Sequence, residues 1–450
     1  MAAGGFLALH RLGLIHPLVR WSSRLRREIL KASKYNTDLV PSRLIAVDMV
    51  TDSLKEGPLA GTWFSSGSAM EASFIGLTDT LKACFGYTHV FPIAQGRTAE
   101  LVLAKANGRQ STVVPNNLLF VTTQAHQRLA GAALADIPTA QAYDLTSDFP
   151  FKGNMDTRRL EQVIAEHGPE GISHIYVETC VNASGGHPVS MANVREVHRI
   201  ARASRIPVII DACRILENAW LIRTREEGYS RMSLKEIVLE FCSHSDGCTM
   251  SATKDFLVDT GGLIAVNDDD LRCRIQDAMM VIGDGLSVRS KAALHHAVVR
   301  GFRRERWVSD RVRKARYLWA KLKDRGVPVV HPAGGHAVFI DARDLCERLA
   351  EKRHPVKAFL VQLYLDSGIM GSENMIAESQ KERGTRLIRL ALPIRKHRLG
   401  RLNYVARKVA DLWSRLDGLR GLRKTHELPC LSGPFTAEYE PEGTPESAQP

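Results

Sequence analysis

Hydrophobic and polar positions along this chain alternate between two periods. Gln95 is followed by apolar residues at helical spacing, and residues 190–204 show the same stripe, so both stretches predict amphipathic helices. Between and beyond them lie short stretches near 116–123, 173–178, 206–211, 246–251 and 261–266, with apolar runs clearest at 206–211 and 261–266, which predict buried strands. Strands separated by helices imply a mainly parallel sheet covered on both faces, with any ligand outside the C-terminal ends of the strands. Long helices fill 289–325. After Gly326 the pattern changes to strands near 328–331, 336–342 and 386–391 and helices near 355–367 and 400–417, which predicts a smaller α+β domain.

Composition refines this outline. With 450 residues, 44% of them hydrophobic, the chain can bury a large core divided into more than one domain. The net charge of +12 is concentrated in 300–325 and 386–424. The first of these also carries Phe302, Val308, Val312, Leu318, Trp319 and Leu322 at helical spacing, so its cations read as the solvated face of long helices and not as a nucleic-acid surface. None of the eight cysteines forms a Cys-x-x-Cys pair, and no metal-ligand spacing is present. They read as reduced, small hydrophobes of a cytoplasmic protein. No stretch is long enough to span a bilayer, and the arginine-rich first 25 residues read as an extension. Residues 427–450, with five glutamates, five prolines and no Lys or Arg, read as a disordered tail.

The chemistry gathers at two strand ends. Ile206-Pro207-Val208-Ile209-Ile210 ends on Asp211, followed by Ala212-Cys213-Arg214. Lys254 closes Thr249-Met250-Ser251-Ala252-Thr253, ahead of the mostly apolar run Phe256 to Val266. Apolar surroundings hold a lysine's pKa down and keep its amine nucleophilic. An aspartate for a pyridinium N–H and a lysine for an aldehyde is the pairing that pyridoxal 5'-phosphate requires. Gln95-Gly96-Arg97 opens a helix whose exposed N–H groups and dipole favour an anion, with an ordinary capped turn as the alternative. Arg389, alone in the apolar run Leu387 to Leu392, needs a buried anion.

The segments Thr51-Asp52-Ser53, Gln95-Gly96-Arg97-Thr98-Ala99-Glu100, Val181-Asn182-Ala183-Ser184-Gly185-Gly186, Asp211-Ala212-Cys213-Arg214, Gly334-Gly335-His336 and Ile388-Arg389-Leu390-Ala391-Leu392-Pro393 occur in the order found in tryptophanases and tyrosine phenol-lyases. The chain resembles that family of β-eliminating lyases from about Arg26 to its last helix. The resemblance implies a fold type I architecture: an N-terminal arm (26–50), a cofactor-binding large domain (51–300), a long helix with a small domain (301–425) and a tail (426–450). It further implies that Gln95, Gly96, Arg97 and Ser251 hold the phosphate and that Phe120 stacks on the ring. Asn182 and Arg214 would contact the ring oxygen O3′ and Asp211 the ring nitrogen. Lys254 would carry the cofactor and then move the Cα proton, and Arg389, with Thr51 and His336, would bind the amino-acid substrate. A homodimer or homotetramer is implied in the same way.

Departures from the family pattern bear on the substrate. Ser68 stands where the family has a tyrosine acid, and Val121 where relatives place a hydroxyl or carboxylate. Thr253 replaces one lysine of a Lys-Lys pair. Asp259 replaces an asparagine of a monovalent-cation site whose acidic partner is absent from Ser65-Ser66-Gly67. The groups that activate a cofactor remain, while those that protonate an aromatic leaving group are gone. The expectation is β-elimination from an amino acid other than tryptophan or tyrosine. An aminotransferase, β-replacement or aldolase-type enzyme on the same fold is the alternative. A cofactor-binding regulatory protein is the non-enzymatic one.

Overall fold

The computed structural model describes residues 21–53, 76–283, 285–350, 353–374, 378–394, 397–430 and 433–442. Its larger sheet contains β1 (His89–Ile93), β2 (Val113–Asn116), β3 (Ala133–Asp136), β4 (Ile175–Glu178), β5 (Val208–Asp211), β6 (Gly247–Ser251) and β7 (Gly262–Val266) in the order β1-β7-β6-β5-β4-β2-β3. All neighbours are parallel except those of β7, which runs against both β1 and β6. The mainly parallel sheet is as expected, and the apolar runs show why. Ile175, Val177, Val208 and Ile210 join one core cluster while Tyr176 and Ile209 between them join another, so every residue of these central strands is buried.

The second cluster lies under α1 (Gly96–Asn107), whose Ala99, Val102, Leu103 and Ala106 cover it. A Cβ on Gly96 would stand 2.6 Å from Ser251 Cβ, and glycine is what lets α1 start directly against the end of β6.

Four local expectations are corrected. In place of a strand over 116–123, β2 stops at Asn116 and α2 (Val121–Leu129) follows. Asn116 Oδ1 accepts hydrogen bonds from the N–H groups of Leu118 (2.9 Å) and Leu119 (3.2 Å), and Leu118 takes a positive φ of 77°, which turns the chain. Near 328–331 there is only a single bridge, Val329 to Ile340. The tail expected to be disordered is built into the fold at 433–442. Glu438–Pro441 pairs with Leu422–His426, and the Asn36 amide donates to Ala437 O at 2.8 Å. The N-terminal extension was expected to reach residue 25, but a helix already spans Ser23–Ala32.

Between α3 (Ile215–Arg225) and the smaller sheet run α4 (Val288–Arg303) and α5 (Arg306–Lys323). That sheet comprises β8 (Ala337–Asp341), β9 (Ser372–Glu373) and β10 (Leu387–Ala391), ordered β9-β10-β8 and antiparallel. Its core packs α5 (Leu318, Leu322) against Val338, Ile340, Ile388 and Leu390. One crossing matters for the site. Val47–Asp48 pairs with Ile369–Met370, and Met49 O accepts from Ala391 N at 2.8 Å, so the chain arrives at Asp52 alongside β10. No helix among the described residues is long and apolar enough to cross a membrane.

Candidate active site

The C-terminal ends of β4, β5 and β6 lie side by side, with Glu178 opposite Asp211 and Asp211 opposite Thr249. Asp211, as expected, closes a buried strand, and its Oδ1 accepts from Cys213 N at 2.8 Å. Burial raises its pKa, and the Glu100 carboxylate on α1 adds to that rise. An acid in this setting is short of a cation and suits a ring N–H.

Lys254 sits in the turn between β6 and β7, its side chain 24% exposed. Its Nζ donates to Ser53 Oγ at 2.8 Å and lies 3.7 Å from Asp52 Oδ1. Burial lowers its pKa against the pull of Asp52, and Arg214 and Arg389 push the same way as burial. The amine is thereby kept closer to its nucleophilic form.

Asp52 is the residue that sequence reasoning passed over. It is fully buried and held by three cations. Arg214 grips it with Nε (2.9 Å) and Nη2 (3.1 Å), Arg389 donates through Nη2 (2.8 Å), and Lys254 completes the set. Burial alone would raise the Asp52 pKa, but these cations hold it well below the usual carboxylate range. Arg214, expected at O3′, is thus anchored to Asp52. Arg389 keeps its buried Nε without a partner among the described residues. An orphaned guanidinium donor beside a low-pKa lysine suits an incoming carboxylate.

At the phosphate end, Gln95 caps α1 without a side-chain bond. Its carbonyl takes Thr98 N and Ala99 N, leaving the first N–H groups of the helix for an anion. The Ser251 hydroxyl lies 3.0 Å from Thr253 Oγ1, which in turn is 3.4 Å from Ser53 Oγ. Gly96 is buried against Ser251, whereas Gln95 and Arg97 are exposed. Phe120 is the half-buried N-cap of α2. The donors, the hydroxyls, the acid and the amine fit pyridoxal phosphate.

Asn182 and His336 come together. His336 is fully buried, its Nε2 3.0 Å from Asn182 Oδ1 and its Nδ1 2.8 Å from Glu217 Oε1. Both ring nitrogens are engaged, so His336 reaches the site through Asn182. Burial and Arg214 push its pKa down to about 4. Beyond it, Arg311 bridges Glu217 and Asp255, each at 2.6 Å, and Asp255 accepts the N–H groups of Leu216 and Glu217 at the start of α3. This buried chain joins Asn182 to the residue after Lys254. Thr51 Oγ1 accepts from Ser53 N at 3.1 Å, shaping the Asp52 turn. Asp259 is exposed, and Ser65, Ser66, Gly67 and Ser68 lie outside the described residues. Among the described residues no group of three His, Cys, Asp or Glu is placed to hold a metal.

Comparison with known proteins agrees with this geometry. The family model described as "Beta-eliminating lyase" matches residues 67–415. The tyrosine phenol-lyase of Clostridium tetani is 36% identical over 444 residues, covering 94% of this chain and 95% of that protein. That of Pasteurella multocida is 34% identical, covering 96% and 98%. Among solved structures, the serine palmitoyltransferase of Sphingomonas wittichii superposes with a TM-score of 0.59 at 11% identity over 83% of this chain and 88% of its own, a likeness of fold. The chain belongs to the β-eliminating lyases and is a pyridoxal-phosphate-dependent enzyme of the fold type I class.

Proposed function

We propose that this enzyme removes the Cα proton of an amino acid and expels a β-substituent that leaves without help from a strong general acid. The observation that carries the reading is the pairing of Arg389 and Lys254 across Asp52. One guanidinium nitrogen is tied down at 2.8 Å and Nε is left for a ligand, with the amine 3.7 Å from the same carboxylate. A substrate carboxylate on Arg389 Nε is held beside the amine, which then takes the Cα proton. When bound, the cofactor supplies a pyridinium ring that draws off the charge left at Cα, and Asp211 keeps the ring nitrogen protonated. Gln95, Gly96, Arg97 and Ser251 would hold its phosphate, Phe120 would stack on the ring, and Asn182 would contact O3′.

The relatives named tyrosine phenol-lyase make tyrosine the reading to test against. Expelling a phenol or indole needs a proton at a ring carbon, a step to which general acids contribute about 10²–10⁴-fold. Val121, the first residue of α2 beside Phe120, carries no such proton. Thr51 and His336 belong to the substrate side, His336 acting through Asn182. We also infer a cytoplasmic homodimer or homotetramer. The test is a panel of tyrosine, tryptophan and S-substituted cysteines, following keto acid and ammonia. Thiol release at least tenfold faster than phenol or indole release is expected, and the reverse order overturns the substrate reading.

A further inference from the structure

Glu178 ends β4 as Asp211 ends β5, and the two are paired in register at the floor of the site. On both strands the preceding residue joins one core cluster and the one before it the other, so both carboxyls leave the sheet on the face covered by α1. Glu178 is 2% exposed and Asp211 is 4% exposed. Their hydrogen bonds differ. Asp211 Oδ1 accepts a short bond, 2.8 Å, from Cys213 N. Glu178 Oε1 accepts a long one, 3.3 Å, from Asn182 N, and Oε2 meets no hydrogen-bond partner at bonding distance among the described residues. Arg214, the cation that acts on Glu178, already spends two nitrogens on Asp52.

Two buried carboxyls side by side with one modest set of donors cannot both ionise cheaply. We propose that Glu178 is a positioning acid for Asp211: the pair holds a single negative charge beneath the cofactor's ring nitrogen, with the proton resident on Glu178. This rests on Asp211 facing that nitrogen.

The surroundings agree. Burial, and then the neighbouring Asp211, push the Glu178 carboxyl up to about 8. Arg214 opposes that rise, and the backbone N–H groups of Asn182 and Phe120 face the carboxyl. On the other side of Asp211 stand Cys213 and, from α1, Glu100, whose oxygens are 3.0 Å from Thr123 Oγ1 and 3.1 Å from His126 Nδ1. A neutral Glu178 leaves Asp211 as the charged partner of the ring N–H. Its ionisation at higher pH brings a second negative charge to the same edge of the ring and changes the ring's protonation and colour.

The test uses the full-length protein loaded with pyridoxal phosphate and reads visible absorbance from pH 6 to 10 for wild type, Glu178→Gln and Asp211→Asn, with cofactor affinity for each and for the double variant. The wild-type band should titrate on the alkaline side with an inflection that is missing in Glu178→Gln, while the two spectra coincide at pH 6, because burial and Asp211 raise the Glu178 carboxyl. Glu178 should partly replace a lost Asp211 charge. The double variant should therefore bind cofactor roughly tenfold more weakly than Asp211→Asn alone, the size of one charge-assisted hydrogen bond. A wild-type band with the same titration in Glu178→Gln overturns the pair. So does equal affinity of Asp211→Asn and the double variant. A wild type that takes up no cofactor overturns the ring-nitrogen reading along with it.

Discussion

Asp52 and Asp211 are buried carboxylates that both feel Arg214, and their surroundings are opposite. Asp52 is met by Arg214, Arg389 and Lys254 and is held well below the usual carboxylate range. Asp211 is pushed up by burial and then by Glu100, with Glu178 beside it in register. The cationic side has donors left over, Arg389 Nε among them, and suits an anionic substrate. The acidic side has carboxyls left over and suits a protonated ring. The protein alone is thus electrostatically incomplete in two places, and each deficiency specifies one partner's charge.

The contrast can be broken from the cationic side first. Lys254→Ala should lower the rate of keto-acid formation by about 10²–10⁴-fold, the contribution of a positioned proton-transfer group. Activity within tenfold of wild type would remove the amine from the chemistry. Asp52→Ala strips the hub and leaves Arg214 and Arg389 buried against each other. It should destabilise the fold by about 3–5 kcal/mol, read from denaturant midpoints, with Asp52→Asn in between. A loss under about 1 kcal/mol, the worth of a surface pair, would mean that the three cations do not depend on it. Arg389→Lys keeps the charge but loses the fork. A roughly tenfold to hundredfold rise in KM with kcat little changed is expected, from the about 1.5–3 kcal/mol of a charge-assisted bond. Loss confined to kcat would contradict a carboxylate grip.

The smallest effect sharpens the comparison through pH. Asp52 has a depressed folded pKa, so its stabilising contribution is present above the unfolded value of 3.8 and is lost as pH falls through the folded one. Glu217, which Arg311 and His336 hold at about 2 against the effect of burial, behaves likewise between 4.5 and 2. Glu178 runs the other way. Raised from 4.5 to about 8, it keeps a proton that the unfolded chain has lost, so its contribution makes stability decline as pH rises across that window. In the cofactor-free protein, Glu178→Gln should therefore gain on wild type between pH 5 and pH 8. Parallel curves in urea titrations at the two pH values would contradict it.

Asp211 and Lys254 were legible because one ends an apolar run and the other stands just ahead of one, places where only a functional or paired charge is tolerated. Arg389 stood out for the same reason, inside the run that became β10. Glu178 ends Ile175-Tyr176-Val177 as plainly as Asp211 ends Val208-Ile209-Ile210, and the same argument applied there would have found it. Asp52 was different. Nothing in its polar neighbours marks it, because its importance comes from Val47–Asp48 joining Ile369–Met370 and bringing the turn to Arg214 and Arg389, residues far apart in sequence. The run after Asn116 misled for a local reason. Leu118, Leu119 and Val121 are apolar enough for a strand, yet one side-chain oxygen of Asn116 turns the chain and begins a helix.

The central claim is that Lys254 is the amine that carries the cofactor. Borohydride reduction of the protein incubated with pyridoxal phosphate, followed by peptide mapping, tests it directly. A demanding control is built into the fold. Lys152 is also buried, and burial lowers its pKa to about 8 despite Asp144 and Asp148, but its Nζ is tied to the carbonyl oxygens of Asp144 and His331. The label is expected on Lys254 alone, and it should be absent from Lys254→Ala. A label on Lys152, or an unlabelled Lys254, would contradict the account.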